Sequence, residues 1–184
     1  MNLYHYYEKK NGPFRNLSDL SLEGAEVVLN TIRNNKNIYA SQRDSTYMRR
    51  RFEYETLTRQ LFIEKGGKPL RLRPHYMTVG RCDWMLSWYE NGAFLIIPAE
   101  KLDSSEISFT YGDMFPTFGP RGDDSTEYRK NVYTYPEILE LVKRLDLPQN
   151  WNPDGKKGPI RYIEAQVWSD ETIAAVLGKS GVEL

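Results

Sequence analysis

Few side chains in this sequence are equipped for chemistry, and they are spread across its length. There are only two histidines, His5 and His75, and a single cysteine, Cys82. Two histidines rule out a histidine-rich metal centre, and Asp113 and Glu164 have no spacing that suggests a mixed site, so no metal is expected. Cys82 stands beside Asp83, whose negative charge raises a thiol's pKa and argues for a structural thiol over a nucleophile. His5 and Glu164 remain, one near each end of the chain. His5 lies in the aromatic run Leu3-Tyr4-His5-Tyr6-Tyr7, and Glu164 alternates with Tyr162, Gln166 and Trp168. A carboxylate among rings must be wet, paired or placed in a cleft, because burying it alone is costly. The plain alternative is a surface strand face with an ordinary glutamate. Tyr76 and Tyr111 are the candidate stacking rings, and Arg51, in the run Arg49-Arg50-Arg51, is a candidate anion contact with a solvated helix face as its plain alternative.

The elements that must position these residues follow from periodicity. Leu3–Tyr7 reads as a strand ending before Asn11-Gly12-Pro13. Leu22, Ala25, Val28, Leu29 and Ile32 recur at helical spacing, with Ser18 or Ser21 as cap. A second helix is expected from about Asp44 to Lys65, with Tyr47, Tyr54, Leu57, Leu61 and Phe62 turned inward and Gly66-Gly67 as its left-handed stop. Extended segments follow at Leu70 to Val79, Ala93 to Ile97 and Ile107 to Tyr111. The stretch Gly112 to Arg129, rich in Gly, Pro and acidic residues, reads as a long, mobile loop at a cleft rim, or as one ordered by Phe115 and Phe118 docking into the core. Thr134-Tyr135-Pro136-Glu137 is a capping box opening a helix. Tyr162 to Trp168 is a strand with Ile163, Ala165 and Val167 on one face, and Ser169 caps a closing helix.

Composition bounds the rest. The chain has 184 residues, 40% hydrophobic and 27% charged, with 25 basic and 25 acidic side chains, enough to bury one core and giving no global field toward nucleic acid or anionic lipid. One domain over residues 1–184 is expected. A lone cysteine, no signal-like start and no run of roughly 20 apolar residues point to a cytoplasmic protein without a membrane partner. Walker, dinucleotide-fold, HExxH and nucleophile-elbow motifs are absent. The 13 tyrosines, 7 phenylalanines and 4 tryptophans suit a core, or a cleft that stacks a flat ligand.

Four segments together resemble the DarT-type branch of ADP-ribosyltransferases. Leu3-Tyr4-His5-Tyr6-Tyr7 is similar to that superfamily's opening strand. Phe94-Leu95-Ile96-Ile97-Pro98 followed by Ile107-Ser108-Phe109-Thr110-Tyr111-Gly112-Asp113-Met114 is similar to its central strands. Arg161-Tyr162-Ile163-Glu164-Ala165-Gln166-Val167-Trp168 is similar to the late strand bearing the catalytic glutamate. The resemblance implies an α+β fold with a split, twisted, mainly antiparallel sheet and N-terminal helices. It also implies cleavage of NAD as substrate and transfer of ADP-ribose to an unknown acceptor. Glu164 and His5 would be catalytic, and His5, Tyr76, Tyr111 and Arg51 would hold the nucleotide. Gln166 is the other candidate for the glutamate's position. The alternative function is a non-catalytic binding protein with a nucleotide-sized cleft.

Overall fold

The computed structural model describes residues 1–120 and 123–180. Five strands, β1 (Asn2–Glu8), β2 (His75–Val79), β3 (Gly92–Pro98), β4 (Ile107–Thr110) and β5 (Glu164–Val167), form one sheet in the order β3-β1-β2-β5-β4. Every pairing is antiparallel. The α+β class agrees with the sequence, but the sheet is continuous and not split. Among the described residues six α-helices accompany it: α1 (Leu22–Asn34), α2 (Tyr47–Glu64), α3 (Met114–Phe118), α4 (Tyr135–Leu145), α5 (Pro148–Trp151) and α6 (Asp170–Ser180). None of the described helices is long and apolar enough to cross a membrane.

Register divides the sheet into two chemically different faces. Leu3 lies opposite Val79 and Ile97, Met77 opposite Ala165, and Ala165 opposite Phe109, so these side chains share one face. That face is the main core, closed by Ile138 and Leu141 of α4 and Ile173, Val176 and Leu177 of α6. The other face carries Tyr4, Thr78, Glu164 and Thr110 in one row and Tyr76, Gln166 and Ser108 in the next. It is covered by α2 and α3, with Phe62 of α2 packed against Trp168 and Thr58 of α2 donating to the Met114 sulfur of α3 at 3.2 Å.

Covering a polar face explains an inversion in α2. Its buried positions are Met48, Arg51, Glu55, Thr58 and Phe62, a helical stripe with an ion pair at its centre, and Leu57 points to solvent. The expectation that Leu57 turns inward is therefore corrected. Helix α2 stops where expected: Gly66 has φ of 86°, and the N–H groups of Gly66 and Gly67 bond the carbonyls of Ile63 and Phe62, both at 2.9 Å. A Cβ on Gly67 would lie 2.6 Å from the Phe62 ring, so close backbone approach adds to the demand for glycine there.

The segment 112–129 is not the featureless loop its composition suggests. Asp113 accepts from the Phe115 N–H at 2.8 Å and opens α3. Phe115 stacks on Tyr47 at 5.0 Å and meets Tyr54 edge-on at 5.4 Å, while Phe118 lies 5.9 Å from Tyr54, the docking alternative. Residues 121 and 122 of this segment lie outside the described residues.

At α4, the Glu137 carboxylate reaches back to the N–H of Thr134 at 2.8 Å, satisfying a donor the helix leaves open, and also pairs with Lys65 at 2.9 Å. Glu137→Ala is expected to lower unfolding free energy by about 1 kcal/mol, with Glu137→Gln recovering part of the loss, by urea denaturation. A loss below about 0.3 kcal/mol would mean that water replaces the cap at no cost.

A candidate carboxyl site on the polar sheet face

Of the five residues singled out in the sequence, the structure brings three to one side of the sheet. Glu164, Tyr76 and Arg51 converge beneath α2. His5 and Tyr111 do not join them. His5 lies in phase with Leu3 on the core side, 7% exposed, with both ring nitrogens committed. Nδ1 bonds the Tyr76 carbonyl at 2.9 Å, and Nε2 accepts from the Phe14 N–H at 2.9 Å. That pattern fixes the proton on Nδ1. Burial, opposed by the bond to the Tyr76 carbonyl and reinforced by the neighbouring His75, pushes the imidazole down to about 4. It stacks on Phe14 at 4.3 Å, and Phe14 itself has φ of 59°, outside the usual range for a bulky residue. His5 is a structural anchor for the Phe14 turn. The structure places it on the face opposite Glu164, apart from the side chains of Tyr76 and Arg51. Tyr111 is likewise in the main core, its hydroxyl donating to the Asp146 carbonyl at 2.8 Å, which removes it from the Glu164 side.

Glu164 is held by a directional chain of hydrogen bonds. Trp168 Nε1, which can only donate, bonds Ser108 Oγ at 2.9 Å; Ser108 must then donate to Gln166 Oε1 at 2.8 Å. The Gln166 amide is thereby oriented, and its Nε2 donates to Glu164 Oε1 at 3.1 Å and to Thr110 Oγ1 at 3.0 Å. Trp168, Ser108, Gln166 and Thr110 are fully buried, while Glu164 keeps 8% exposure. Between the two candidates at this strand, only Glu164 can be reached from outside.

The electrostatics follow from that enclosure. Burial, aided by the negative charge of nearby Asp113, lifts the Glu164 carboxyl to about 8. Asp113, also buried, rises to about 6 despite accepting from Phe115. Glu164 therefore keeps its proton at neutral pH while Asp113 gives its own up. Tyr162 donates to Asp113 Oδ2 at 3.4 Å, and burial next to Asp113 and Glu164 raises its phenol well above the usual range.

Around the acids stands a second polar group and a set of rings. Glu55 accepts on Oε1 from Arg51 Nε at 3.0 Å, Ser18 Oγ at 2.5 Å and the Tyr76 hydroxyl. Arg51 also bonds Asn16 Oδ1 at 2.8 Å and Tyr47 at 3.2 Å, and its guanidinium covers the Tyr76 ring at 4.5 Å. That face of Tyr76 is thus occupied. Nearer the surface, Tyr39, Trp84 and Trp88 lie within 5.3 Å of one another, Trp84 lies 6.3 Å from Tyr162, and Arg43 sits between the rings of Tyr47 and Trp88 at 4.7 and 5.1 Å. The aromatic turn Asp83–Trp88 was not singled out in the sequence, although its two tryptophans four residues apart were the available signal.

Two surface concavities lie elsewhere. One runs over the outer face of α2 beside Ile63 and Leu72, and the other lies between Tyr128, Tyr111 and Trp151. Neither is lined by Glu164. Chemically, the arrangement offers a carboxyl that can give or take a proton near neutrality, amid rings that favour a flat or cationic partner. Among the described residues there is no cluster of three or more potential metal ligands. No family model, no curated protein and no solved structure matches this chain.

Proposed function

We propose that the Glu164 site binds a flat, positively charged ring and that the ligand is NAD, cleaved at its nicotinamide bond with transfer of ADP-ribose to an acceptor. The observation that carries this reading is the carboxyl of Glu164 on β5, 8% exposed, near Asp113 and held by Gln166 among aromatic side chains. Placing an acid there is expensive for the fold, which is the pattern of a functional group kept against stability. A cationic ring brought against Glu164 favours its ionised form, so binding drives out the proton. The resulting carboxylate then faces the positive charge that develops on the ribose carbon as nicotinamide leaves with the bonding electrons. The acceptor supplies the new electron pair and loses its proton. His5 takes no part.

One observation favours a second reading, a binding protein without cleavage: Arg51 and Tyr76 are spent on Glu55, leaving few free groups to orient a sugar. Titration calorimetry with NAD in buffers of different ionisation heat, together with measurement of free nicotinamide, separates the two. The enzyme reading expects net proton release on binding near pH 7 and nicotinamide appearing over time. Proton-linked binding with intact NAD supports the second reading, and no binding with no nicotinamide overturns both.

A further inference from the structure

The two edges of the sheet are treated differently. At β4 the strand is four residues long, and Phe109 exchanges backbone bonds with Tyr133 at 2.9 and 2.8 Å, so that edge is closed. At β3 nothing comparable occurs. Pairing with β1 runs over all seven residues from Gly92 to Pro98. The bonds Ala99 N to Met1 O and Lys9 N to Asn91 O set the phase: odd-numbered β3 residues turn their backbone groups toward β1 and even-numbered ones turn theirs outward. The N–H groups of Gly92, Phe94 and Ile96 and the carbonyls of Gly92, Phe94, Ile96 and Pro98 therefore form an open row. No hydrogen bond to that row is found among the described residues. The strand itself has no charge, no bulge and no proline before its last residue, and Ile96 is 50% exposed; Arg81 lies over the Phe94 ring at 5.3 Å, and Leu86 packs against Gly92 at one end.

We infer that β3 is a pairing surface for a second copy of this chain, joined antiparallel about a two-fold axis through Leu95. This partner is favoured by self-complementarity in that register. Phe94 and Ile96 of one copy exchange two backbone bonds with Ile96 and Phe94 of the other. Pro98, which lacks an N–H, falls opposite Gly92 at the end of the pairing: its carbonyl accepts from the Gly92 N–H of the second copy, and the Gly92 carbonyl is left to solvent. On the exposed face the cross-strand pairs are phenylalanine with isoleucine, an aromatic and β-branched combination that stabilises antiparallel pairs. The flanking acids that this register brings together, Glu90 and Glu100, already have partners in Lys10 at 3.6 Å and the terminal amine at 3.1 Å. Two five-stranded sheets become one of ten.

Light scattering coupled to gel filtration tests the pairing on the intact protein. The wild type is expected at about twice the 21.5 kDa chain mass at high concentration. Ile96→Lys, a surface change that puts like charges across the two-fold region, is expected to run as a monomer with its far-ultraviolet spectrum unchanged. As a second measurement, Leu95→Cys faces itself in a non-hydrogen-bonded pair, where Cα separations of about 4.5 Å suit a disulfide, and is expected to cross-link under mild oxidation while buried Cys82 does not. A wild type that stays monomeric up to its solubility limit overturns the proposal, as does a dimer that Ile96→Lys leaves intact and Leu95→Cys fails to cross-link.

Discussion

Glu164→Gln is expected to stabilise the protein at alkaline pH while lowering NAD cleavage by about 100-fold or more, the scale lost with one electrostatic stabiliser. The stability half follows from linkage. The folded Glu164 carboxyl stands at about 8 and its ordinary value is 4.5. Between those values the folded chain holds a proton that the unfolded chain has lost, so stability falls as pH rises through that window and levels off above it. The other shifted carboxylates and histidines, His75 among them, act lower in the range. Asp113, at about 6 against 3.8, adds a fall that ends near pH 6, and His5, at about 4 against 6.5, contributes a rise that ends near pH 6.5. The interval from pH 6.5 to 8 is therefore dominated by Glu164. At about 1.4 kcal/mol per pH unit, the wild type should lose about 2 kcal/mol across that interval and the glutamine variant very little. Glutamine keeps an oxygen to accept from Gln166, so the network need not come apart. Urea unfolding at pH 6.5, 7.2 and 8.0, with nicotinamide release on the same preparations, checks both halves. Parallel stability curves would mean that Glu164 is solvated and ordinary, and unchanged turnover would remove it from the chemistry.

The parts of this fold that were legible in the sequence are those with a local cause. Alternation placed Ile163, Ala165 and Val167 on the core face and Glu164 opposite; register agrees at Glu164, Ala165 and Val167, and Ile163 is buried in the same core. The breaker pair Gly66-Gly67 ended α2, and the Thr134–Glu137 pattern opened α4, because caps and left-handed stops are written in adjacent residues. What was not legible depended on distant partners. Strand β1 has no polar alternation, since both its faces are covered, so nothing in Leu3–Tyr7 revealed whether His5 shares a face with Glu164; only pairing with β2 and β3 fixes the phase. In α2 the ordinary rule that apolar residues face inward misled at Leu57, because the surface beneath the helix is itself polar and Ser18, Arg73 and Tyr76 supply the partners that let Glu55 enter. Glycines and prolines in 112–129 masked α3, whose order comes from Phe115 against Tyr47, 68 residues away in sequence.

The ion pair within α2 gives the largest expected loss of stability, and it also asks why the pair is there. Glu55 is fully buried, and three donors meet its Oε1 atom, with Arg73 Nε at 3.4 Å from the other oxygen. Glu55→Ala removes the charge that balances Arg51, itself 9% exposed, and leaves the Ser18 and Tyr76 hydroxyls without an acceptor. Stranding a buried cation in this way is expected to lower unfolding free energy by about 3–5 kcal/mol, a large part of the stability of a typical domain. Replacing both partners behaves differently. Arg51→Met with Glu55→Leu removes the stranded charge and refills the space with apolar atoms, so the double variant should recover most of the loss. The cycle is read by urea denaturation at pH 7. A single-variant loss below about 1 kcal/mol would show that water reaches Glu55 and that the cluster is not part of the core. If the double variant matches the wild type in stability yet no longer binds NAD, the pair is retained for the site above β5, because packing alone is served equally well without it. If it keeps both stability and binding, Arg51 and Glu55 are structural, and the site reduces to Glu164, Asp113 and the rings around them.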